Sequence, residues 1–423
     1  MQVRIHNLSH DPCAVRIPAS KSLSHRALIA ASLADGVSHL SDLAENRDTE
    51  ATAAAIQLLG ATIIKESSGS YEIHGINDLS AYEGSVIDCG ESGSTLRFLI
   101  PLFSLTGKKA VFTGHGKLME RPMQVYEQLF HDQGLYFEQK DGLLTVEGAL
   151  KPGTYSIRGD VSSQFISGLL MAMPLADGTT TLQILPPYES KSYVGLTEDV
   201  LEQAGIQIED HGNEIIIRGN QHYQPLNMRI DGDDSQAVFF LSLACTGNKT
   251  IEVQGMRHDS RQGDHAVIEL LKHMGEQIEE TDTGYRAVPD HLQSAIMNLE
   301  DCPDLGPMLF ALASQAEGET VFVHAERLRM KESDRIACME EELRKLGCTI
   351  TSEGGTVKVQ GPTRIKGNVT VDGHNDHRIV MALSILAAAA EEPVTITGAE
   401  AINKSYPGFF EDLKTLNVEV EQL

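Results

Sequence analysis

Two kinds of hydrophobic segment alternate along the chain, and each returns six times. The first is a polar turn opening a stretch that is apolar on nearly every side. Examples are Ser20-Lys21-Ser22 before RALIAASLADG, Gly90–Ser94 before TLRFLIPLFSLTG, and Ser162-Ser163-Gln164 before FISGLLMAMPLADG. Asp233-Asp234-Ser235, Pro303-Asp304 and His374–Asp376 open the other three. Gly36, Gly107, Gly178, Gly247 and Gly318 close five of them at a spacing of about 70 residues, and Glu392-Pro393 closes the sixth. A helix apolar on all sides is a buried one. The second kind has one apolar face, as with Ile336, Met339, Leu343 and Leu346 in a helix expected over 332–346, and ends on Gly or Asn before a strand. Such helices cover a core from outside.

A period of this length marks a repeat protein. Each repeat reads as strand, helix, strand, helix and further strand, with TTTLQIL, KTIEVQG and ETVFVHA as the strands after three of the apolar helices. Three repeats per domain divide the 423 residues near residue 227, after the polar HYQPLN, into two α/β domains with ample core.

The opening turns carry the candidate chemistry. Ser, Asp and Asn side chains cap free N–H groups, and a buried helix start offers those groups and the positive dipole end to an anion. IPASKSLSHRALIA sets Lys21 and Ser22 beside one start and Arg26 about one turn on. That set suits a phosphate, although the glycines of a P-loop are missing. LRMKESDRIACMEEELRKLG gathers Lys331, Glu332, Asp334 and Arg335 into a first turn where two cations fit an anionic ligand. Asp304 follows Pro303 at a helix start, where an N-cap is the commonest role. His374 and His377 lie three apart in HNDHR without further ligands at metal spacing, so donation from His377 and Arg378 to an anion is the better reading. No nucleophile elbow supports Ser-His-Asp catalysis.

Composition narrows the partners. The net charge of −26 excludes nucleic acid and anionic membranes as binding surfaces, and its self-repulsion favours a monomer. No apolar run has membrane-spanning length. Six cysteines without a C-x-x-C pair suit a reducing compartment, so a soluble cytoplasmic protein is expected. A noncatalytic repeat scaffold has no use for cations clustered at helix starts in so acidic a chain.

PASKSLSHR, CGESGSTLR, MERPM, VSSQF, MKESDR, NDHR and NKSYPGFF, in this order, resemble the EPSP synthase family of enolpyruvyl transferases along the whole chain. The resemblance implies an inside-out α/β barrel fold of two similar domains, each of three βαβαββ repeats with buried parallel helices. The domains would comprise residues 18–227 and residues 1–17 plus 228–423, with the active site in the interdomain cleft. It also implies transfer of the enolpyruvyl group of phosphoenolpyruvate to the 5-hydroxyl of shikimate 3-phosphate by addition and elimination, without a metal or organic cofactor. That step belongs to the shikimate pathway towards chorismate and aromatic amino acids, and glyphosate competes with phosphoenolpyruvate in the family.

Matched motif by motif, Lys21, Ser22, Arg26, Ser162, Ser163, Gln164, Ser190, Tyr193, Asp304 and Lys331 would hold shikimate 3-phosphate. Lys21, Gly93, Arg121, Gln164, Arg335, Arg378 and Lys404 would hold phosphoenolpyruvate. Asp304 would accept the 5-hydroxyl proton and Glu332 would donate one, with Lys21 beside phosphoenolpyruvate and Lys331 assisting. Glu91, Ser94 and Arg327 depart from the usual Asn, Thr and Asn of the family pattern. The sister family acting on UDP-N-acetylglucosamine is the alternative, but it usually carries a Cys in the loop corresponding to HGKLMERPM (115–123), which has none.

Overall fold

In the computed structural model, which describes residues 1–7, 9–76 and 78–423, the apolar segments form six helices. They are Lys21–Ser32, Gly93–Ser104, Ser163–Ala172, Asp234–Thr246, Gly306–Ala313 and His377–Ala387. Burial follows the pattern: His377–Ala387 is buried at every position and Gly93–Ser104 at every position but Ser94. Side chains of Ser20, Ser92, Ser162, Asp233 and Asp376 accept first-turn N–H groups and so close five of the starts. The fifth helix in chain order is different. Pro303–Leu305 forms a 3-10 turn before it, and no side chain caps it. Asp304 is therefore not the expected N-cap, because its carboxylate is drawn instead to three cations described below.

The second-kind segments form Arg47–Gln57, Gln124–Asp132, Lys191–Gln203, Val267–His273, Arg335–Lys345 and Phe409–Thr415. Gly60, Gly134, Gly205, Gly275, Gly347 and Asn417 follow these helices, and all six have positive φ. This left-handed cap costs Gly little and is tolerated by Asn, which explains the residue choice. The helix expected from 332 begins at Arg335, because the Asp334 side chain accepts the Ala337 N–H and ends the preceding turn.

Among the described residues, six four-stranded sheets share one plan, a parallel pair followed by two antiparallel pairings. In the second repeat, Val86–Asp88 lies parallel to Ala110–Thr113, which pairs with Leu143–Glu147, itself paired with Tyr136–Lys140. Repeats one and four trade their first strands. Cys13–Arg16 leads into Lys21–Ser32 but pairs with Ile251–Gln254, whereas Asn227–Arg229 leads into Asp234–Thr246 but pairs with Val37–Ser41. Gln2–Asn7 completes the sixth repeat beside Val394–Thr397 and Val418–Gln422.

The chain accordingly divides into one unit of Ala19–Asp231 and another of Met1–Pro18 with Gly232–Leu423. Each has its own core, with the apolar helices inside and the sheets outside. In the first unit, Gly93–Ser104 packs on Ser163–Ala172. Gly168 permits that approach, since a Cβ there would lie 2.5 Å from the Arg97 carbonyl oxygen. Among the described residues no helix is long and apolar enough to cross a membrane.

Candidate active site

Within Ala19–Asp231, the helix starts gather two groups of side chains. Gly93 opens its helix against Arg121: a Cβ at Gly93 would sit 2.6 Å from Arg121 Nη1 and 3.2 Å from Arg97 Nη1. Arg97 donates to Gln164 Oε1 at 2.8 Å, and Gln164 Nε2 donates to Ser94 Oγ at 2.9 Å. Gly93, Arg121 and Gln164 are thus brought together, and the Ser found at position 94 serves as acceptor. Glu91 lies over the neighbouring loop, close enough that a Cβ at Gly116 would collide with its carboxylate.

Arg26 organises the second group. Its Nη1 donates to the Ser22 carbonyl at 2.7 Å, its Nη2 to the Tyr193 carbonyl at 2.8 Å, and its Nε to Thr197 Oγ1 at 2.7 Å. The guanidinium also lies over the Phe98 ring. Burial pulls its pKa down to about 10, and its hydrogen-bond partners among the described residues include no carboxylate. A buried cation held only by neutral acceptors favours an incoming anion. Lys21, by contrast, pairs with Asp48 at 3.0 Å. Ser162 accepts the Gln164 N–H, buried Ser163 begins the same helix, and buried Ser190 precedes Lys191–Gln203 in a left-handed conformation.

In the other unit, six charged side chains interlock. Asp304 Oδ1 accepts from Arg335 Nη1 at 3.0 Å and lies 3.2 Å from Lys331 Nζ; its Oδ2 accepts from Arg378 Nη2 at 3.0 Å. Arg335 Nη2 donates to Glu332 at 2.6 Å, and Arg335 Nε donates to the fully buried Asp376 at 2.8 Å. Burial alone would raise the pKa of Asp304, but Arg378, Lys331 and Arg335 outweigh it and hold the carboxyl well below its ordinary range. Burial lowers Lys331, with Arg327 and Arg335 adding to the effect and Asp304 opposing it. Buried Lys404 donates to the Asn375 carbonyl at 2.5 Å. The carboxylates of Asp304 and Glu332 remain 21% and 17% exposed, so both can be reached.

Sequence reasoning left four supporting residues unassigned. Arg97, a lone cation in a buried apolar helix, was legible as unusual. Asp376 reads as a simple N-cap, and it does accept the Arg378 N–H, but it also accepts from Ser333 Oγ at 3.0 Å. Ser235, at the start of the fourth apolar helix, accepts from Arg378 Nη2 at 2.9 Å. Asp48 carries no local signal, being one acid in an ordinary first turn.

Buried arginines and lysines interlaced with carboxylates at helix starts suit an α/β enzyme that handles anionic substrates. The chain belongs to the EPSP synthase (3-phosphoshikimate 1-carboxyvinyltransferase) family, whose pattern it matches over residues 12–413. It is 43% identical over 411 residues to the 3-phosphoshikimate 1-carboxyvinyltransferase of Clostridium kluyveri, covering 96% of each chain. Among solved structures it resembles EPSP synthase from Acinetobacter baumannii, with a TM-score of 0.81, 27% identity and 100% of both chains covered. The enolpyruvyl transferase NikO from Streptomyces tendae shares the fold at 19% identity, with a TM-score of 0.80 over 99% of this chain and 98% of that one.

Proposed function

We infer that this protein transfers the enolpyruvyl group of phosphoenolpyruvate to the 5-hydroxyl of shikimate 3-phosphate, releasing inorganic phosphate. Family membership supports the reaction. One observation carries the mechanism: a single guanidinium, Arg335, links Asp304 to Glu332 inside a cluster that also holds Lys331 and Arg378.

In this reading Lys21, Ser22, Arg26, Ser162, Ser163, Ser190 and Tyr193 hold shikimate 3-phosphate. Arg335, Arg378 and Lys404, with Gly93 and Arg121, hold phosphoenolpyruvate, and Gln164 touches both. In this reading no metal or organic cofactor takes part. Glu332 gives a proton to the methylene carbon of phosphoenolpyruvate. The 5-hydroxyl oxygen bonds to the adjacent carbon while Asp304 takes its proton, giving a tetrahedral ketal. Loss of a methyl proton to the Glu332 carboxylate and cleavage of the carbon–oxygen bond to phosphate then restore the double bond.

In this reading the ion pairs hold Asp304 in reserve until substrate binds. In the free protein Arg378, Lys331 and Arg335 stabilise Asp304 as an anion, which makes it a weak base. Phosphoenolpyruvate brings a phosphate and a carboxylate that compete for Arg335 and Arg378. As these cations turn to the substrate, Asp304 gains basicity.

Incubation with both substrates should release phosphate only when both are present. Turnover with UDP-N-acetylglucosamine and none with shikimate 3-phosphate would overturn the reading. We also propose a cytoplasmic monomer, supported by six unpaired thiols and the charge of −26; a dimer in sedimentation equilibrium would contradict the second point.

A further inference from the structure

One fully buried carboxylate in the unit that holds Asp304 stands outside this chemistry. Glu342 lies on Arg335–Lys345, about two turns from Arg335, and is 0% exposed. Its Oε2 accepts the Asp372 N–H at 3.0 Å, and its Oε1 meets His374 Nε2 at 2.7 Å and Lys345 Nζ at 2.8 Å. Cys338 and Glu342 raise the pKa of His374 to about 10, so the imidazole is a cationic donor. Glu342 therefore reaches from its helix to hold the turn Asp372–Asp376 at two points, one main-chain and one side-chain.

That turn needs holding. His374 and Asn375 have φ of 49° and 51°, two successive non-glycine residues in the left-handed region. Such a conformation persists only where the surroundings enforce it. The turn also meets each phosphoenolpyruvate-binding cation proposed for this unit. Its Asn375 carbonyl accepts from Lys404, its Asp376 carboxylate accepts from Arg335, and Asp376 caps the helix carrying Arg378.

We propose that Glu342 and His374 form a positioning clasp that fixes this turn and through it aims Arg335, Arg378 and Lys404 at phosphoenolpyruvate. Neither residue touches a reacting atom. The clasp rests on the phosphoenolpyruvate assignment made above, and the test separates the two.

Steady-state kinetics would compare His374→Leu, which removes the ring donor, with His374→Gln, whose amide nitrogen can take the place of Nε2. His374 is 24% exposed, so either side chain can be accommodated, and urea midpoints would be recorded for both. His374→Leu should raise KM for phosphoenolpyruvate about tenfold and KM for shikimate 3-phosphate by less than about twofold, with glutamine restoring most of the loss. A fold defect alone would lower the active fraction and leave both KM values unmoved. Arg378→Lys is the control for the binding assignment. If it leaves KM for phosphoenolpyruvate unchanged, that assignment fails. If it raises KM while His374→Leu does not, or if leucine and glutamine behave alike, the clasp is overturned.

Discussion

Asp304 and Arg335 form a direct ion pair, Nη1 to Oδ1 at 3.0 Å, on a guanidinium whose side chain is 1% exposed. The pair places the proposed base against a cation proposed to bind phosphoenolpyruvate. In the proposed reaction, substrate capture and proton transfer would draw on the same charge.

Replacing Asp304 by Asn tests that link. The amide cannot accept the hydroxyl proton, so kcat should fall roughly a hundredfold or more. Removing the carboxylate also releases Arg335, Arg378 and Lys331 from a competing anion. Phosphoenolpyruvate should then bind at least as tightly as to the wild type, as measured by titration calorimetry in the presence of shikimate 3-phosphate. Turnover within about fivefold of wild type would remove Asp304 from the chemistry.

Gly93→Ala should act through Arg121. The new methyl would stand 2.6 Å from Nη1, well inside contact distance, so the guanidinium must retreat from the helix start. KM for phosphoenolpyruvate is expected to rise about tenfold or more with little change in KM for shikimate 3-phosphate. Equal rises in both constants would show that the helix start, rather than Arg121 alone, has moved.

The architecture was largely legible because burial on every side of a helix leaves a direct mark in its sequence. Phe98, Leu99, Ile100, Leu102 and Phe103 leave Gly93–Ser104 no polar stripe. Long-range pairing leaves no such mark. Nothing in the residues of Cys13–Arg16 or Asn227–Arg229 marks the partner strand, which lies in another repeat in both cases. The proposed site residues stand out in the sequence where they open an apolar helix, as with Lys21 and Arg378. Asp304 illustrates the limit, since a cap and an ion-paired carboxylate look the same after Pro303. Glu342 does too: within EEELRK it reads as a solvated helical face, and only its contacts with Asp372 and His374 show a buried carboxylate.

Gly168→Ala probes the packing beneath the site. Its Cβ would meet the Arg97 carbonyl at 2.5 Å, and a backbone atom between two buried helices cannot turn aside as a side chain can. The carbonyl also accepts from Tyr126 Oη at 2.7 Å, a hydrogen bond the shift would weaken. The expected loss is about 3 kcal/mol in urea unfolding followed by circular dichroism. Because Arg97 holds Gln164, activity should fall as well. A variant as stable as the wild type would mean that these helices have room to part.

Glu276 gives the protein a pH-dependent weak point outside the site. It lies between Val267–His273 and Gln277–Thr281 and is 3% exposed. Neither of its carboxylate oxygens finds a geometric hydrogen bond among the described residues, and the Cys245 thiol gives only weak relief. Burial pushes its pKa up from 4.5 to about 8. The folded state therefore keeps a proton that the unfolded chain releases from about pH 4.5 upward. Stability falls as pH rises through that window and levels off above about pH 8, once both states have lost the proton. At roughly 1.4 kcal/mol per pH unit, the penalty cannot exceed about 5 kcal/mol, and local rearrangement will reduce it. Glu276→Gln keeps the shape without the charge. The variant should match the wild type near about pH 4.5 and become progressively more stable up to about pH 8, as read from urea midpoints. Parallel pH profiles for the two proteins would show that Glu276 reaches solvent when it ionises.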